Sequence, residues 1–260
     1  MGTDFFAAER AANTVWTAEQ KAIFDAVKSL PRGGALAVLA RAGAGKTTTA
    51  VESLQYARRS DEKNKAMFLA FNRRNGDELH QKTPSNVVGS TFHSVVMRTS
   101  STPLEIGKNW RLAKAIIPSR RYKLRAPAVQ LSSLAKNLGV GLVLPDTVDL
   151  WRELVFEYGI RHQKRYSPTL VAETARRLFH ASLEDVEHAD FDDYLYICAR
   201  DGVGDFFEPL DWLYIDEFQD TNPTQMLVID RMREASGGST RLVLIGDPKQ
   251  AIYGLSLIHI

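Results

Sequence analysis

The chain has 260 residues, 44% hydrophobic and 25% charged, with a formal net charge of +2 at pH 7. That is an ordinary globular composition, long enough to bury one large core or two small ones. Its single cysteine, Cys198, excludes an internal disulfide and any multi-cysteine zinc site, and apolar runs such as ALAVLA at 35–40 are too short to span a membrane.

The N-terminal stretch MGTDFFAAER carries an acid early and no long apolar run, so it does not read as a secretory signal. A cytoplasmic protein is expected, with Cys198 as a small buried hydrophobe. Thr17-Ala18-Glu19-Gln20 predicts a capping box opening a helix, with Ile23, Phe24, Val27 and Leu30 on one face. PRGG at 31–34 ends it. ALAVLA then predicts a buried strand, and RAGAGKTTTAVESLQYARR a glycine loop running into a helix. KAMFLAF at 65–71 predicts a second strand, NRRNGDELHQK a helix, and NVVGS a short third strand before TFHSVVMR.

From about residue 100 to 200 the pattern is mostly helical. Thr147 is placed to cap a helix carrying Trp151, Leu154, Val155 and Tyr158 on one side and stopped by Gly159. Ser167-Pro168 starts another, since proline is tolerated at the first helical position. The strand signal returns in WLYIDE at 212–217 and RLVLIGD at 241–247, with a helix from Asn222-Pro223 between them. Strands alternating with helices predict an α/β fold, a parallel sheet covered on both faces and interrupted by a helical insertion.

Charge is unevenly spread. Between Ile106 and Pro145 there are eight Lys or Arg and no acid; between Ala181 and Asp220 there are thirteen Asp or Glu and one Arg. The basic segment reads either as a solvated face or as the footprint of a phosphate backbone. The acidic one leads into IDEFQD, a place for a divalent cation.

ARAGAGKTT at 40–48 follows a predicted strand and opens a predicted helix, the context a phosphate loop requires. Small residues let backbone N–H groups approach phosphate oxygens, and the helix N-terminus adds partial positive charge. The binding segment is Ala40, Arg41, Ala42, Gly43, Ala44, Gly45, Lys46, Thr47 and Thr48. Lys46 is in reach of the β- and γ-phosphates of ATP, and the Thr47 hydroxyl of Mg²⁺. The generic pattern has glycine where this chain has Ala40. At the end of LYIDEFQD, one carboxylate of Asp216 and Glu217 suits Mg²⁺, usually through water. The other suits orienting or deprotonating an attacking water.

Taken in order, TAEQKAI at 17–23, ARAGAGKTT at 40–48, AFNRR at 70–74, TFHS at 91–94, FDDYLY at 191–196, IDEFQDTNPTQ at 215–225 and LIGDPKQAIYG at 244–254 resemble superfamily-1 DNA helicases of the UvrD/Rep/PcrA type. The pieces span nearly the whole chain. DEFQDT together with GDPKQAIYG is far more restrictive than the loop and carboxylates, which many ATPases share. The family's loop also has alanine at the place of Ala40, whereas Arg41 stands where it usually has glycine.

The resemblance implies a RecA-like P-loop domain acting with ATP and Mg²⁺ on single-stranded DNA and single-strand/duplex junctions, in the 3′→5′ direction by likeness. It implies that Gln20 reads the adenine edge, which the capping box need not exclude. Thr47 and Asp216 would hold the metal, Glu217 would be the base for water, and Gln250 would sense the γ-phosphate. Phe71, Asn72, Thr91, His93 and Tyr253 would lie along single-stranded DNA, where aromatic stacking tolerates any base. The implied layout is a first RecA-like part over 1–99, a helical insertion called 1B over 100–200 that touches duplex and single strand, and a second RecA-like part over 201–254. Within that insertion the phosphate-contact reading of the basic segment gains weight.

In the family, IYG continues into an aromatic, an arginine and a second RecA-like domain. Here Leu255 follows, and LSLIHI at 255–260 is the direct translation of CTGTCTCTTATACACATC, which resembles a transposon end used in sequencing-library adapters. The expectation is therefore an N-terminal piece with a non-native tail, its partner domain missing, binding Mg-ATP weakly and unwinding nothing alone. A small-molecule kinase with a P-loop and a non-catalytic single-strand-binding module are the competing classes. ATPase stimulation by single-stranded DNA separates the first from a motor, and insensitivity of DNA affinity to loss of Lys46 identifies the second.

Overall fold

The computed structural model describes residues 15–41, 43–57, 65–70, 87–204, 207–247 and 249. The expected helix over 72–82, the side chains of Ala42, Phe71, Asn72, Gln250 and Tyr253, and the 255–260 tail lie outside them. The chain divides into two compact units, one of Met1–Val95, Phe207–Thr221 and Met232–Ile260, the other of Val96–Phe206 and Asn222–Arg231.

The first unit is built on five parallel strands: β1 (Ala35–Leu39), β2 (Ala66–Ala70), β3 (Val87–Thr91), β4 (Trp212–Ile215) and β5 (Arg241–Gly246), in spatial order β1-β5-β4-β2-β3. The inner strands β2 and β4 are buried at every residue, so AMFLA and WLYI read as continuous apolar runs without alternation. β1 lies at an edge and is buried only at Val38. Helix α1 (Ala18–Ser29) opens on the expected capping box: Thr17 Oγ1 accepts from the Gln20 N–H (3.3 Å), and Gln20 Oε1 accepts from the Thr17 N–H (3.0 Å). Phe24 and Val27 face inward, and Leu30 is its C-cap. Helix α2 (Lys46–Ala57) contributes Ala50, Leu54 and Ala57 to a core shared with Phe68, Trp212, Tyr214 and Ile245.

Helix α3 (Phe92–Arg98) follows β3 directly. The second unit contains α4 (Lys108–Ile116), a 3₁₀ turn over Ser119–Leu124, α5 (Arg125–Asn137), α6 (Val148–Glu157), α7 (Pro168–Glu184) and α8 (Phe191–Asp201). Thr147 and Ser167 cap α6 and α7 by accepting from the N–H groups of Leu150 and Leu170. Trp151, Phe179 and Tyr196 pack edge to face at the centre, with ring centroids 5.3 Å apart in both pairs. Cys198 is buried, and burial pushes its thiol up to about 12, the inert state expected of a packed cysteine.

The second unit also takes in Asn222–Arg231, the start of α9 (Pro223–Ala235). Asn222 Nδ2 donates to Asn137 Oδ1 (2.9 Å), Thr224 Oγ1 to the Lys136 carbonyl, and Arg231 Nε to the Ala199 carbonyl (3.0 Å).

Candidate nucleotide site

All five strands run parallel, so the loops after β1, β4 and β5 leave the same edge of the sheet, the usual place for a ligand in such folds. The loop after β1 enters α2 through Gly43 and Gly45, with φ of 75° and 73°. Those left-handed angles favour glycine, and neither position has backbone within 4 Å of where a Cβ would stand. Arg41, Gly43, Ala44, Gly45 and Thr48 are exposed, leaving the loop open to a ligand. Beyond it, the first-turn N–H groups of α2 have no intrahelical acceptor and suit an anion.

β5 lies between β1 and β4, so the strands that deliver loop and carboxylates are separated by about 10 Å. Long side chains close that gap. Lys46 Nζ is 3.1 Å from Glu217 Oε2, and Thr47 Oγ1 donates to Asp216 Oδ2 at 3.3 Å. Lys46 and Asp216 are buried, Glu217 half-buried. Residues 169 and 171 positions apart in the chain thus meet.

Neighbouring carboxylates on a strand point to opposite faces, but β4 has ended at Ile215. Glu217 is in the left-handed region (φ 48°), the one non-glycine residue there among those described, and opens a 3₁₀ turn over Phe218–Asp220. Asp216 Oδ1 accepts from the Glu217 N–H (3.0 Å). This strained turn brings both carboxylates to the loop.

The donor set suits Mg-triphosphate. A hydroxyl and a carboxylate oxygen stand together, as hard Mg²⁺ prefers. Burial first, then Glu217, push the Asp216 carboxyl above its ordinary range, a cost that a cation would relieve. Among the described residues no three His, Cys, Asp or Glu gather to hold a metal unaided. Magnesium here would need phosphate oxygens as further ligands, which is its habit in nucleotide sites.

A prediction follows for Asp216→Asn. The folded carboxyl keeps a proton that the unfolded one releases, so its contribution to stability is present below about pH 3.8 and is lost as pH rises through the higher folded value. At neutral pH the asparagine variant should therefore melt at or above the wild-type temperature without ligand. It should lose the extra stabilisation that magnesium adds to bound nucleotide. A clearly lower melting temperature without ligand would contradict this.

The Gln20 amide lies beside the loop, 3.8 Å from where a Gly45 Cβ would stand. Its Nε2 donates to Thr49 Oγ1 (2.9 Å) while its Oε1 serves the capping box. Reading an adenine would mean exchanging the Thr49 bond. Thr91 ends β3 and caps α3, accepting from the Ser94 N–H (3.3 Å), with His93 half-buried in the first turn. β1 and β3 are four strand spacings apart, about 19 Å, so Thr91 and His93 do not share a phosphate with Lys46.

One residue was not singled out in the sequence. Gln219 is buried; its Nε2 donates to Glu217 Oε2 (2.8 Å) and its Oε1 accepts from the Asp247 N–H (2.9 Å). It ties the carboxylate turn to the end of β5, and the glutamine of DEFQD was the available signal. Gly246 makes room for it, since a Cβ there would fall 2.5 Å from Gln219 Oε1. Gly246→Ala is expected to cost about 1–3 kcal/mol in denaturant unfolding. Combined with Gln219→Ala the cost should be less than additive. Additive costs would show that the two do not meet.

The basic segment divides. Lys108 and Lys136 are fully buried against Asp193, and Arg111 pairs with Glu105 (2.8 Å) and Asp185 (2.6 Å). Three of its eight cations are therefore paired with carboxylates of the protein.

A family model described as an AAA domain matches residues 22–256. F-box DNA helicase protein 1 of Schizosaccharomyces pombe is 24% identical over 256 residues, covering 92% of this chain and 28% of that protein. ATP-dependent DNA helicase PcrA of Leuconostoc citreum is 30% identical over 82 residues, 29% of this chain and 10% of that protein. RecBCD enzyme subunit RecB of Mycolicibacterium smegmatis is 64% identical over 39 residues, 15% of this chain and 3% of that protein. The chain thus spans from 3% to 28% of the length of these relatives.

Proposed function

The chain belongs to the AAA domain family, and from that membership we propose that it is the ATP-binding N-terminal part of an ATP-dependent DNA helicase or translocase, working 3′→5′ on single-stranded DNA. The observation that carries the reading is the meeting of Lys46 and Thr47 with Glu217 and Asp216 at the carboxyl edge of the sheet. When bound, Mg²⁺ would neutralise phosphate charge, with Thr47 and Asp216 as its protein ligands. Lys46 would turn from Glu217 to the phosphates. Glu217, still held by Gln219, would orient the attacking water and take its proton. The two units would correspond to a RecA-like domain and its helical 1B insertion, and Thr91 and His93 would border the DNA track. The relatives named as DNA helicases support the same reading.

A partner domain supplying an arginine would raise the rate by about 10³–10⁵. Without one, this chain should bind Mg-ATP, release phosphate very slowly and unwind nothing. Equilibrium binding of ATP with and without magnesium, followed by phosphate release with single-stranded DNA or small metabolites, tests the reading. Magnesium-dependent binding with slow hydrolysis to free phosphate is expected. Absence of ATP binding, or transfer of phosphate to a metabolite, would overturn it.

A further inference from the structure

Two surfaces of opposite character flank helix α4 of the helical unit. On one side an open groove of about 580 Å³ is lined by Lys114 of α4, Lys123 of the 3₁₀ turn, Arg125 of α5 and Arg161 after α6, and no aspartate or glutamate is among the described residues that line it. Trp110 and Tyr122 line the same groove, 45% and 55% exposed. Arg120 and Arg121, the adjacent arginines of the basic segment, stand outside it, so the segment's densest positive charge is elsewhere. The groove therefore suits a short apolar prong flanked by carboxylates rather than a long polyanion.

The chain itself carries such a prong. The stretch joining α7 to α8 reads Glu184-Asp185-Val186-Glu187, with Val186 78% exposed and both glutamates on the surface. Helix α4 holds it in place: Arg111 pairs with Asp185 (2.6 Å), and the buried Lys108 ammonium donates to the carbonyls of Asp185 (3.1 Å) and His188 (2.5 Å). With Glu105, also on Arg111 (2.8 Å), this patch sets four carboxylates against Arg111 and His188. Ile106, just before α4 and 77% exposed, adds apolar surface of the kind that marks an interaction site. A helix turns about 100° per residue. Trp110 and Lys114 thus stand on one flank of the exposed face of α4, and Arg111 with the acidic turn on the other. A two-fold axis running along α4 would set the groove of each copy against the acidic turn of the other, both contacts forming at once.

We propose that the helical unit pairs with a second copy of this chain about that axis. Val186 of each copy enters the groove of the other between Trp110 and Tyr122, with Glu184 and Glu187 beside Lys114 and Lys123. The contact lies wholly within the helical units and needs no nucleotide, so it stands or falls separately from the nucleotide site.

The test is sedimentation velocity of the full chain over a concentration series, nuclease-treated and without nucleotide, at low and high salt. Wild type should pass from monomer to dimer as concentration rises, and less readily at high salt. Lys114→Glu with Lys123→Glu, and separately Glu184→Lys with Glu187→Lys, should each weaken the dimer by about 10-fold or more, since like charges then face each other. All four side chains are exposed, so the fold should survive both changes. Mixed in equal amounts, the two variants should pair with each other about as tightly as wild type, because each reversed groove meets a reversed turn. Val186→Ser should weaken the dimer by about 10-fold and leave its salt dependence unchanged. A wild type that stays monomeric at low salt would overturn the proposal. So would charge-reversed variants that pair as wild type does, a mixture that stays monomeric, or assemblies larger than a dimer. Dimers that form only when nucleic acid is added would overturn it equally.

Discussion

Asp193→Ala is expected to destabilise the helical unit by about 3–5 kcal/mol, the cost of leaving buried charge uncompensated. Lys108, Lys136 and Asp193 have no exposed side-chain surface at all. One Asp193 oxygen accepts from Lys136 and from Ser182 Oγ (2.9 Å); the other lies 3.1 Å from Lys108 Nζ and accepts from the Asp190 N–H (2.9 Å). That last bond closes the capping box of α8, so one carboxylate neutralises two helices' cations and starts a third helix. Burial alone would raise its pKa, but Lys136, the Asp190 N–H and Lys108 hold it below the ordinary carboxylate range. Its stabilising charge is therefore fully present above about pH 3.8 and is lost as pH falls through the lower folded value.

Alanine leaves two ammonium groups facing a void. Lys108 retains the carbonyls of Ser182 (2.7 Å), Asp185 (3.1 Å) and His188 (2.5 Å), whereas Lys136 keeps Ser182 Oγ (2.8 Å) and a long contact to Asn109 (3.4 Å). Lys136 should therefore suffer more, and adding Lys136→Met should recover part of the loss. Denaturant unfolding followed by circular dichroism measures both. A loss under 1 kcal/mol for the alanine variant would show that the cluster matters little.

This cluster also marks where sequence reading stopped. FDDYLY was legible as a motif, yet nothing near Lys108 or Lys136 says that either is buried, because their partner lies in another helix. Lysine ordinarily reports exposure, so the segment read as a basic face. Other features depended on nearby residues and were legible. The apolar runs of β2 and β4 follow from burial on both faces, and the caps at Thr17, Thr147 and Ser167 each need only a neighbour three positions on. The strand order was not legible, since β5 enters between β1 and β4 from the far end of the chain. Gln219 was missed for the same reason: its acceptor role depends on the backbone after β5.

The Lys46–Glu217 pair yields the second large effect, with opposite signs for its two members. The Lys46 ammonium lies 3.1 Å from the Glu217 carboxylate. A triphosphate offers it more negative charge, so binding exchanges one partner for another. Lys46→Ala removes the group that makes the exchange, and nucleotide at about 100 times its wild-type Kd, which should stabilise wild type by about 2.7 kcal/mol, should then add almost nothing. Glu217→Gln removes the competitor for Lys46 while its amide oxygen can still accept from Gln219. Mg-ATP affinity should therefore be equal to or tighter than wild type, while phosphate release falls by about 10²–10⁴-fold, the worth of a positioned base. Thermal unfolding with and without Mg-ATP reads the first comparison and single-turnover hydrolysis the second. If both variants lost binding alike, the pair would be a structural tie rather than a partner exchange. If Lys46→Ala kept the full ligand stabilisation, nucleotide would not be held by this loop.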